Sequence, residues 1–256
     1  MNSSAPPPLE AATPPALPGF EVRTYDLHEH LDGPCTYAEY RRAMLDMGKA
    51  NKLTRAFKPF VALVAEVITR TGVGTRPLHV VDLGCGQGDL LRPLRRWAAP
   101  LSVPLRLTGI DLHPYAMRLA QELDEQAHVP QQTFHWLTAD ALTTTLDVDV
   151  ITCSLMAHHL RDKDVVRLLQ RCDEAREAWM ISDLRRSERA AKIFVLLARV
   201  FRWHRFVLED GDISFRRAFS LDEWRALVAQ ANVRAEVIDA GGGRVLVRSR
   251  RQRENV

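Results

Sequence analysis

The sequence predicts an α/β protein with a mostly parallel sheet. From Leu78 onward, short apolar runs alternate with amphipathic stretches, which is the pattern of repeated strand–helix–strand units. Before Leu78, apolar residues recur at helical spacing between Tyr37 and Thr71, so two helices are expected to precede the first strand. The 256 residues are enough for one sizeable core, and a second full domain is not expected.

The regular part of this pattern predicts five strands with helices between them. Their ranges are Leu78–Leu83, Arg106–Asp111, Thr133–Leu137, Val148–Ser154 and Trp179–Asp183. Because parallel strands place their carboxyl ends at one edge of a sheet, residues that follow these strands are candidates for a shared site.

After Asp183 the alternation stops, and we interpret the next 35 residues or so as an insertion. A helical pattern over Ala190–Phe206 is followed by a polar segment, Glu209–Asp212, which is predicted to form a turn. A helix is then expected over Leu221–Ala231, since Ser220 and Glu223 have capping-box spacing. Two last strands, Ala235–Ala240 and Arg244–Arg248, flank three glycines, and this predicts an antiparallel hairpin at the sheet edge.

The composition gives little reason to expect a nucleic-acid or membrane protein. Lys and Arg total 35 against 32 Asp and Glu, so the formal charge of +3 is small. No stretch approaches the 18 apolar residues of a membrane span, and the amino-terminal segment does not look like a signal peptide. The four cysteines lack the spacing of a zinc site, which favours reduced thiols and a cytoplasmic location. The oligomeric state is left open.

These patterns divide the chain into four predicted parts. A leader rich in Pro and Ala covers residues 1–20 and is expected to be disordered. An N-terminal helical cap covers 21–74, and the main domain covers 75–250 and contains the insertion at 185–218. Residues 251–256 are expected to form a flexible tail, because the basic run there is typical of a solvated face.

Three glycines follow the first predicted strand in the segment Asp82-Leu83-Gly84-Cys85-Gly86-Gln87-Gly88. Glycines after a buried strand allow a sharp turn and a close approach to a ligand. The dinucleotide pattern would need glycine at position 89, which is Asp89 here. A carboxylate at Asp82 suits the ammonium group of S-adenosylmethionine (SAM) and would repel a pyrophosphate, so the loop favours SAM.

Acidic residues at two further strand ends support this interpretation. Asp111 ends the second predicted strand, where its carboxylate is placed to accept from both ribose hydroxyls. Adenine would then lie between Leu112 and the chain that follows Asp140. Each acid alone has a simpler explanation as a helix cap or a turn residue, but the three glycines and three acids together favour a cofactor site.

With these motifs in place, the sequence resembles the class I SAM-dependent methyltransferases, and more narrowly their small-molecule branch of quinone and polyketide methyltransferases. The segments Asp82–Gly88, Asp111, Thr138–Ala141 and Cys153–Leu160 carry the resemblance. The segments Ser182–Ser187 and Asp210–Ser214 are similar to bacterial methyltransferases associated with type III polyketide synthases.

The resemblance implies a Rossmann-like sheet of seven strands with the last strand antiparallel, and N-terminal helices and the insertion as a substrate lid. SAM is the implied cofactor and a small molecule the implied substrate, with no metal. The cofactor-binding residues it implies are Asp82, Gly84, Cys85, Gly86, Gly88, Asp111, Leu112, Asp140, Ala141 and Ser154.

Three residues are candidates for a catalytic role in methyl transfer to oxygen or to an activated ring carbon. His158 and His159 follow the fourth strand, where a base would deprotonate a phenol, although either could simply pack beneath the cofactor. Asp183 ends the fifth strand and is expected to orient a substrate hydroxyl or to bind Arg185. The basic residues of the insertion are interpreted mainly as a solvated face; they are His204, Arg216 and Arg217.

Several alternatives stay open at this point. An enzyme that methylates the amino group of adenine or cytosine is disfavoured. Such enzymes bind the planar amine with an Asn/Asp-Pro-Pro-aromatic segment after the fourth strand, and Cys153-Ser154-Leu155-Met156 lacks it. A catechol-type magnesium site is disfavoured because Ser154 and Asp183-Leu184 stand where acidic and amide ligands would be needed. A protein or RNA methyltransferase, a catalytically inactive SAM-binding protein and, less favoured, a dinucleotide oxidoreductase are the remaining hypotheses.

Overall fold

The protein is described from a computed structural model that covers residues 19–72, 74, 76–130, 133–145 and 147–250. The predicted tail and all of the predicted leader except Gly19 and Phe20 lie outside the described residues. In the described part of the chain, no helix has both the length and the apolar character needed to cross a membrane.

Helices separate the successive parallel strands as the sequence pattern predicts, with one exception: the described residues between Thr138 and Val150 form no helix, so the helix expected between the third and fourth strands is wrong. The helices are α1 Tyr37–Leu53, α2 Lys58–Thr71, α3 Leu91–Ala98, α4 Pro114–Gln126, α5 Asp162–Asp173, α6 Glu188–Val200, α7 Arg205–Arg217 and α8 Leu221–Ala231. The strands are β1 Leu78–Leu83, β2 Leu105–Asp111, β3 Phe134–Thr138, β4 Val150–Ser154, β5 Ala178–Leu184, β6 Ala235–Gly241 and β7 Arg244–Ser249.

The seven strands form one sheet in the order β3-β2-β1-β4-β5-β7-β6. The pairs among β1 to β5 are parallel, whereas β7 runs antiparallel to both β5 and β6. This confirms the predicted Rossmann-like, mostly parallel sheet with an antiparallel last strand. The β6–β7 hairpin lies at the sheet edge, as the glycine turn predicted.

Both faces of the sheet are buried, because successive residues of each central strand point to opposite sides. On one face, Val81 and Trp179 belong to a cluster covered by α5 and α8. On the other face, Val80 joins Phe60 of α2 and Leu94 of α3. With both faces covered by helices, ligands have access to the sheet only at its edges, and the carboxyl ends of the parallel strands meet at one of them.

The helix starts follow local side-chain chemistry. Thr36 and Glu39 form a capping box at the start of α1, and Ser220 and Glu223 form the predicted one at the start of α8. In both, the side-chain oxygen of the first residue accepts from the backbone N–H of the second, which satisfies a donor that has no partner inside the helix.

The turn predicted at Glu209–Asp212 is wrong, because this segment lies inside α7. The insertion instead breaks between α6 and α7, where Arg202 has a left-handed φ of 54°. Asp210 Oδ1 accepts from the backbone N–H of His30 at 2.8 Å, so the acid docks the helix onto the amino-terminal segment. Gly211 is needed for close packing, since a Cβ there would lie 2.2 Å from Cε1 of Phe194. Asp210 and Gly211 therefore make contacts with distant parts of the chain. A turn prediction uses only the local sequence and does not take such contacts into account.

Candidate active site

A cavity of about 1550 Å³ opens at the carboxyl edge of the sheet. It runs along the glycine loop after β1, the ends of β2, β4 and β5, and the facing surfaces of α1 and α6. A pocket for one drug-sized ligand is about 300 to 1000 Å³, so this cavity has room for a cofactor and a second molecule.

The glycine loop has a backbone that side chains would not tolerate. Gly84, Gly86 and Gly88 have φ values of 68°, 51° and 83°, all in the left-handed region. A Cβ on Gly84 would lie 2.6 Å from Sδ of Met156, and one on Gly88 would lie 2.4 Å from Cη2 of Trp136. The loop is therefore restricted to glycine and exposes its backbone to the cavity.

Asp82 is buried beneath this loop, with 2% of its surface exposed. Burial, together with the charges of Asp111 and Asp89, raises the pKa of Asp82 to about 7, against a hydrogen bond from Thr152 that lowers it. Thr152 Oγ1 donates to Asp82 Oδ1 at 2.9 Å. The sequence analysis missed Thr152, which is positioned by the parallel register that pairs it with Asp82 across β1 and β4.

Asp111 is held in place by the backbone around it. Its Oδ2 accepts from the N–H of Gly86 and its Oδ1 from the N–H of His113, both at 2.8 Å. Tyr40 of α1 stacks on His113 with ring centroids 4.1 Å apart, which the sequence did not reveal. Leu112 lines the cavity and is 69% exposed. An oriented carboxylate beside an exposed apolar side chain suits a ligand with both polar and flat apolar parts.

The other predicted cofactor residues also line this cavity: Cys85, Asp140, Ala141 and Ser154. Asp140 Oδ1 accepts from the N–H of Leu142 at 2.8 Å, so this carboxylate also stabilises a turn. Burial raises the pKa of Cys85 well above its ordinary value, so the thiol stays neutral. The structure thus brings nine of the ten predicted cofactor residues to one cavity wall, whereas Gly88 packs against Trp136 and does not line the cavity; their roles stay a prediction.

His158 and Asp183 form a buried pair at the other end of the cavity. His158 Nδ1 lies 2.6 Å from Asp183 Oδ1, and the backbone N–H of His158 donates to Asp183 Oδ2 at 2.9 Å. Burial acts to raise the pKa of Asp183, but the charge and hydrogen bonds of His158, together with a bond from the N–H of Leu184, lower it overall. Because Asp183 is a carboxylate, Nδ1 of His158 is the donor in this bond, and Nε2 is the ring nitrogen that remains for another partner.

The alternative partner predicted for Asp183 is not the one observed. Arg185 Nη1 instead lies 3.3 Å from Asp239 Oδ2. Arg217 is also not on a solvated face, since it is 4% exposed. His204 caps the start of α7 by accepting from the N–H of Phe206, and Arg216 pairs with Asp212 at 2.8 Å.

The amino-terminal segment completes this end of the cavity with two acids that the sequence analysis missed. Glu29 Oε1 lies 3.8 Å from Nε2 of His158, and its Oε2 lies 3.8 Å from Nε2 of His159. Asp32 Oδ1 lies 3.0 Å from Nδ1 of His159, and its Oδ2 pairs with Arg217 at 2.5 Å. No periodic pattern marks residues 19–35, so only the long-range contacts reveal their place in the site.

Glu29, His158 and His159 are close enough to hold a metal ion, with ligand atoms within 4.8 Å of one another. However, Glu29 Oε1 already accepts from Ser214 Oγ at 2.9 Å and lies 3.5 Å from Arg217 Nη1. A guanidinium at this distance repels a cation. The arrangement is therefore better suited to binding and moving protons than to binding a metal.

Comparisons with known proteins agree with this geometry. Residues 80–176 match the family described as a methyltransferase domain. The ubiquinone biosynthesis O-methyltransferase of Albidiferax ferrireducens is 34% identical over 86 residues, which is 33% of this chain and 32% of that protein. The aligned segment thus spans about a third of the curated relative.

Solved methyltransferase structures share the fold. The plantazolicin methyltransferase in complex with S-adenosylhomocysteine (SAH) has a TM-score of 0.54 at 15% identity, over 83% of this chain and 96% of that one. The magnesium protoporphyrin IX methyltransferase of Synechocystis PCC 6803, with bound SAH, has a TM-score of 0.50 at 13% identity, over 85% and 88% of the two chains. The chain therefore has the Rossmann-like methyltransferase fold, with a methyltransferase domain match over the strands that build the cofactor wall of its cavity.

Proposed function

We propose that the protein is a SAM-dependent methyltransferase that methylates a hydroxyl group, or an activated ring carbon, of a small aromatic, polyketide-like or quinone-like metabolite. The observation that carries the proposal is one cavity that joins a glycine cradle with three acids to a His158–Asp183 pair. The methyltransferase domain match and the resemblance of one segment to a ubiquinone O-methyltransferase support the same reaction class. The link to polyketide synthases stays a prediction.

The cradle fits SAM in both shape and charge. The left-handed backbone of Gly84 and Gly86 lines the cavity beside Asp82, whose carboxylate suits the ammonium group of the methionine moiety. Asp111 would accept from the ribose hydroxyls, and Leu112 and Ala141 would flank the adenine. Bound SAM supplies an electrophilic methyl group on a positively charged sulfur, so no further activation of the donor is needed.

The chain itself has to orient the acceptor, exclude water and remove a proton. His158 Nε2 would take the proton of the acceptor hydroxyl as the oxygen–carbon bond forms, and Asp183 would stabilise the resulting imidazolium. A base so positioned accelerates such reactions by about 10² to 10⁴. Glu29 would keep His158 and His159 at the acceptor, with Ser214 fixing the carboxylate.

Two segments cover the acceptor end, and we assign them the role of a cap and a lid. Arg23 of the amino-terminal segment donates to the carbonyl oxygens of Leu160 and Arg217 at 2.6 Å each. The insertion at 185–218 contributes Phe194 and Ser214 to the cavity wall. Their closure over the acceptor would exclude water from the transfer.

The test is methyl transfer from labelled SAM to a metabolite extract, with low-mass and macromolecular fractions counted separately. We expect label in the low-mass fraction, a loss of about 10² or more in rate for His158→Gln with SAM affinity retained, and no change for His135→Gln. His135 is an exposed histidine of β3 and serves as the matched control. Label only in protein or RNA would favour the macromolecular alternative, and SAM binding without transfer would favour an inactive SAM-binding protein.

A further inference from the structure

Three arginines converge on one rim of the cavity, outside the residues assigned above. Arg185 follows β5 and its N–H donates to the carbonyl of Gly243 at 2.8 Å, while Arg244 opens β7 opposite Leu184. Arg189 lies in the first turn of α6. This helix packs on the glycine turn between β6 and β7, to which Gly243 belongs. A Cβ on Gly243 would lie 2.4 Å from Cβ of Ala190. All three arginines line the cavity.

The positive charge on this rim is poorly compensated. Arg244 Nη1 donates to Ser182 Oγ at 3.3 Å, and in the described part of the chain its guanidinium forms no ion pair. Burial lowers the pKa of Arg244, and the charge of Asp183 only partly offsets this. Arg185 pairs with Asp239 at the surface, but its Nε is buried and has no acceptor among the described residues.

Arg189 is exposed, and in the described part of the chain it forms no ion pair, since its neighbour Glu188 pairs with Lys192 at 2.7 Å. The buried guanidinium of Arg244 without an ion pair and the buried Nε of Arg185 without an acceptor are costly, and the planar donors of both groups match a carboxylate. The rim is therefore built to receive an anion.

The cofactor is not that anion. In the sheet order β1-β4-β5-β7, three strand spacings separate the glycine loop after β1 from Arg244, which is about 14 Å. The pair formed by His158 and Asp183 lies between them, at β4 and β5. The anion expected at the arginine rim is therefore part of the molecule that contacts His158.

We infer that Arg244, with Arg185 and Arg189, binds a carboxylate of the methyl acceptor, so that the substrate is a hydroxylated aromatic acid. This inference rests on the proposed function. The acceptor would span the cavity with its hydroxyl at His158 and its carboxylate at the arginine rim.

The test is calorimetric titration of the SAH-loaded protein at pH 7.5 with 2,4-dihydroxybenzoate and with its methyl ester, which lacks the charge. The acid should bind about tenfold or more tightly than the ester. Arg244→Met should remove this preference, Arg244→Lys should retain part of it, and both should bind SAH like the natural protein. Arg106→Met is the matched control, because Arg106 is exposed at the opposite end of β2.

Equal affinity for acid and ester, no binding of the acid at millimolar concentration, or the same loss in Arg106→Met would overturn the inference. SAH affinity is measured first in the same series. A protein that does not bind SAH contradicts the proposed function itself, whereas SAH binding without a preference for the acid contradicts only the arginine subsite.

Discussion

Replacing Asp82 with asparagine should stabilise the protein while it weakens cofactor binding. Burial holds the pKa of this carboxyl at about 7, against an ordinary value of 3.8. An acid whose pKa is raised by folding destabilises the folded state wherever the unfolded chain would already have lost the proton. This cost is absent below pH 3.8, grows through the window up to pH 7 and is constant above it.

The size of the expected stabilisation follows from the pKa shift of Asp82. A shift of about three pKa units corresponds to about 4 kcal/mol at pH 8 and to roughly half of that at pH 5. Asparagine carries no charge, and its side-chain oxygen can still accept from Thr152 Oγ1. Asp82→Asn should therefore raise the free energy of unfolding by these amounts.

Urea unfolding of the cofactor-free protein at pH 5 and pH 8 measures the stability, and calorimetry measures SAM affinity. In the natural protein, SAM affinity should fall as the pH drops below 7, because Asp82 takes up a proton, whereas Asp82→Asn should bind weakly at every pH. Asp26→Asn is the control, since this side chain is 88% exposed and a change there should stay within about 0.5 kcal/mol. A variant that is no more stable at pH 8, or a gain equal at both pH values, would refute the account of Asp82.

Two further predictions concern the packing of the helices. Gly211→Ala should lower the free energy of unfolding by up to about 2 kcal/mol, because overpacking against Phe194 costs about 1 to 3 kcal/mol and the better helix propensity of alanine returns only about 1; a stabilised variant in urea unfolding would contradict the contact. Ser220→Ala should cost about 1 kcal/mol through loss of the capping box with Glu223, and an unchanged unfolding midpoint would show that the box contributes nothing.

The sheet and the donor side of the site could be predicted because their signals are local. Strand ranges follow from runs of apolar residues, and the observed bounds differ from the predicted ones by two residues or fewer. The glycine loop was recognisable for the same reason, since three glycines after a buried strand are contiguous in the sequence. The late start of β4 at Val150 has a specific cause. Asp149 leaves the strand pattern because its carboxylate accepts from Arg76 and from the N–H of His79.

His158, His159 and Asp183 were recognisable because they follow predicted strands, but the rest of the acceptor side could not be predicted because its contacts join distant parts of the chain. Glu29 meets Ser214 across 185 residues, and His30 meets Asp210 across 180. No periodicity in residues 19–35 signals that a buried carboxylate lies there. The same long-range bond explains the wrong turn at Glu209–Asp212, since the acid that suggested solvent is buried against the amino-terminal segment.

The two ends of the cavity are built from different parts of the chain. The donor wall is formed by contiguous strand ends of the sheet, whereas the acceptor end is closed by residues 19–35, the start of α6 and α7. Glu29 contacts His158 and His159 but no predicted cofactor residue. Substitutions at Glu29 or at the arginine rim should therefore change which acceptor reacts without changing SAM affinity, whereas substitutions at Asp82 should do the reverse. On the proposed function, SAM binding and acceptor choice therefore depend on different residues of the chain.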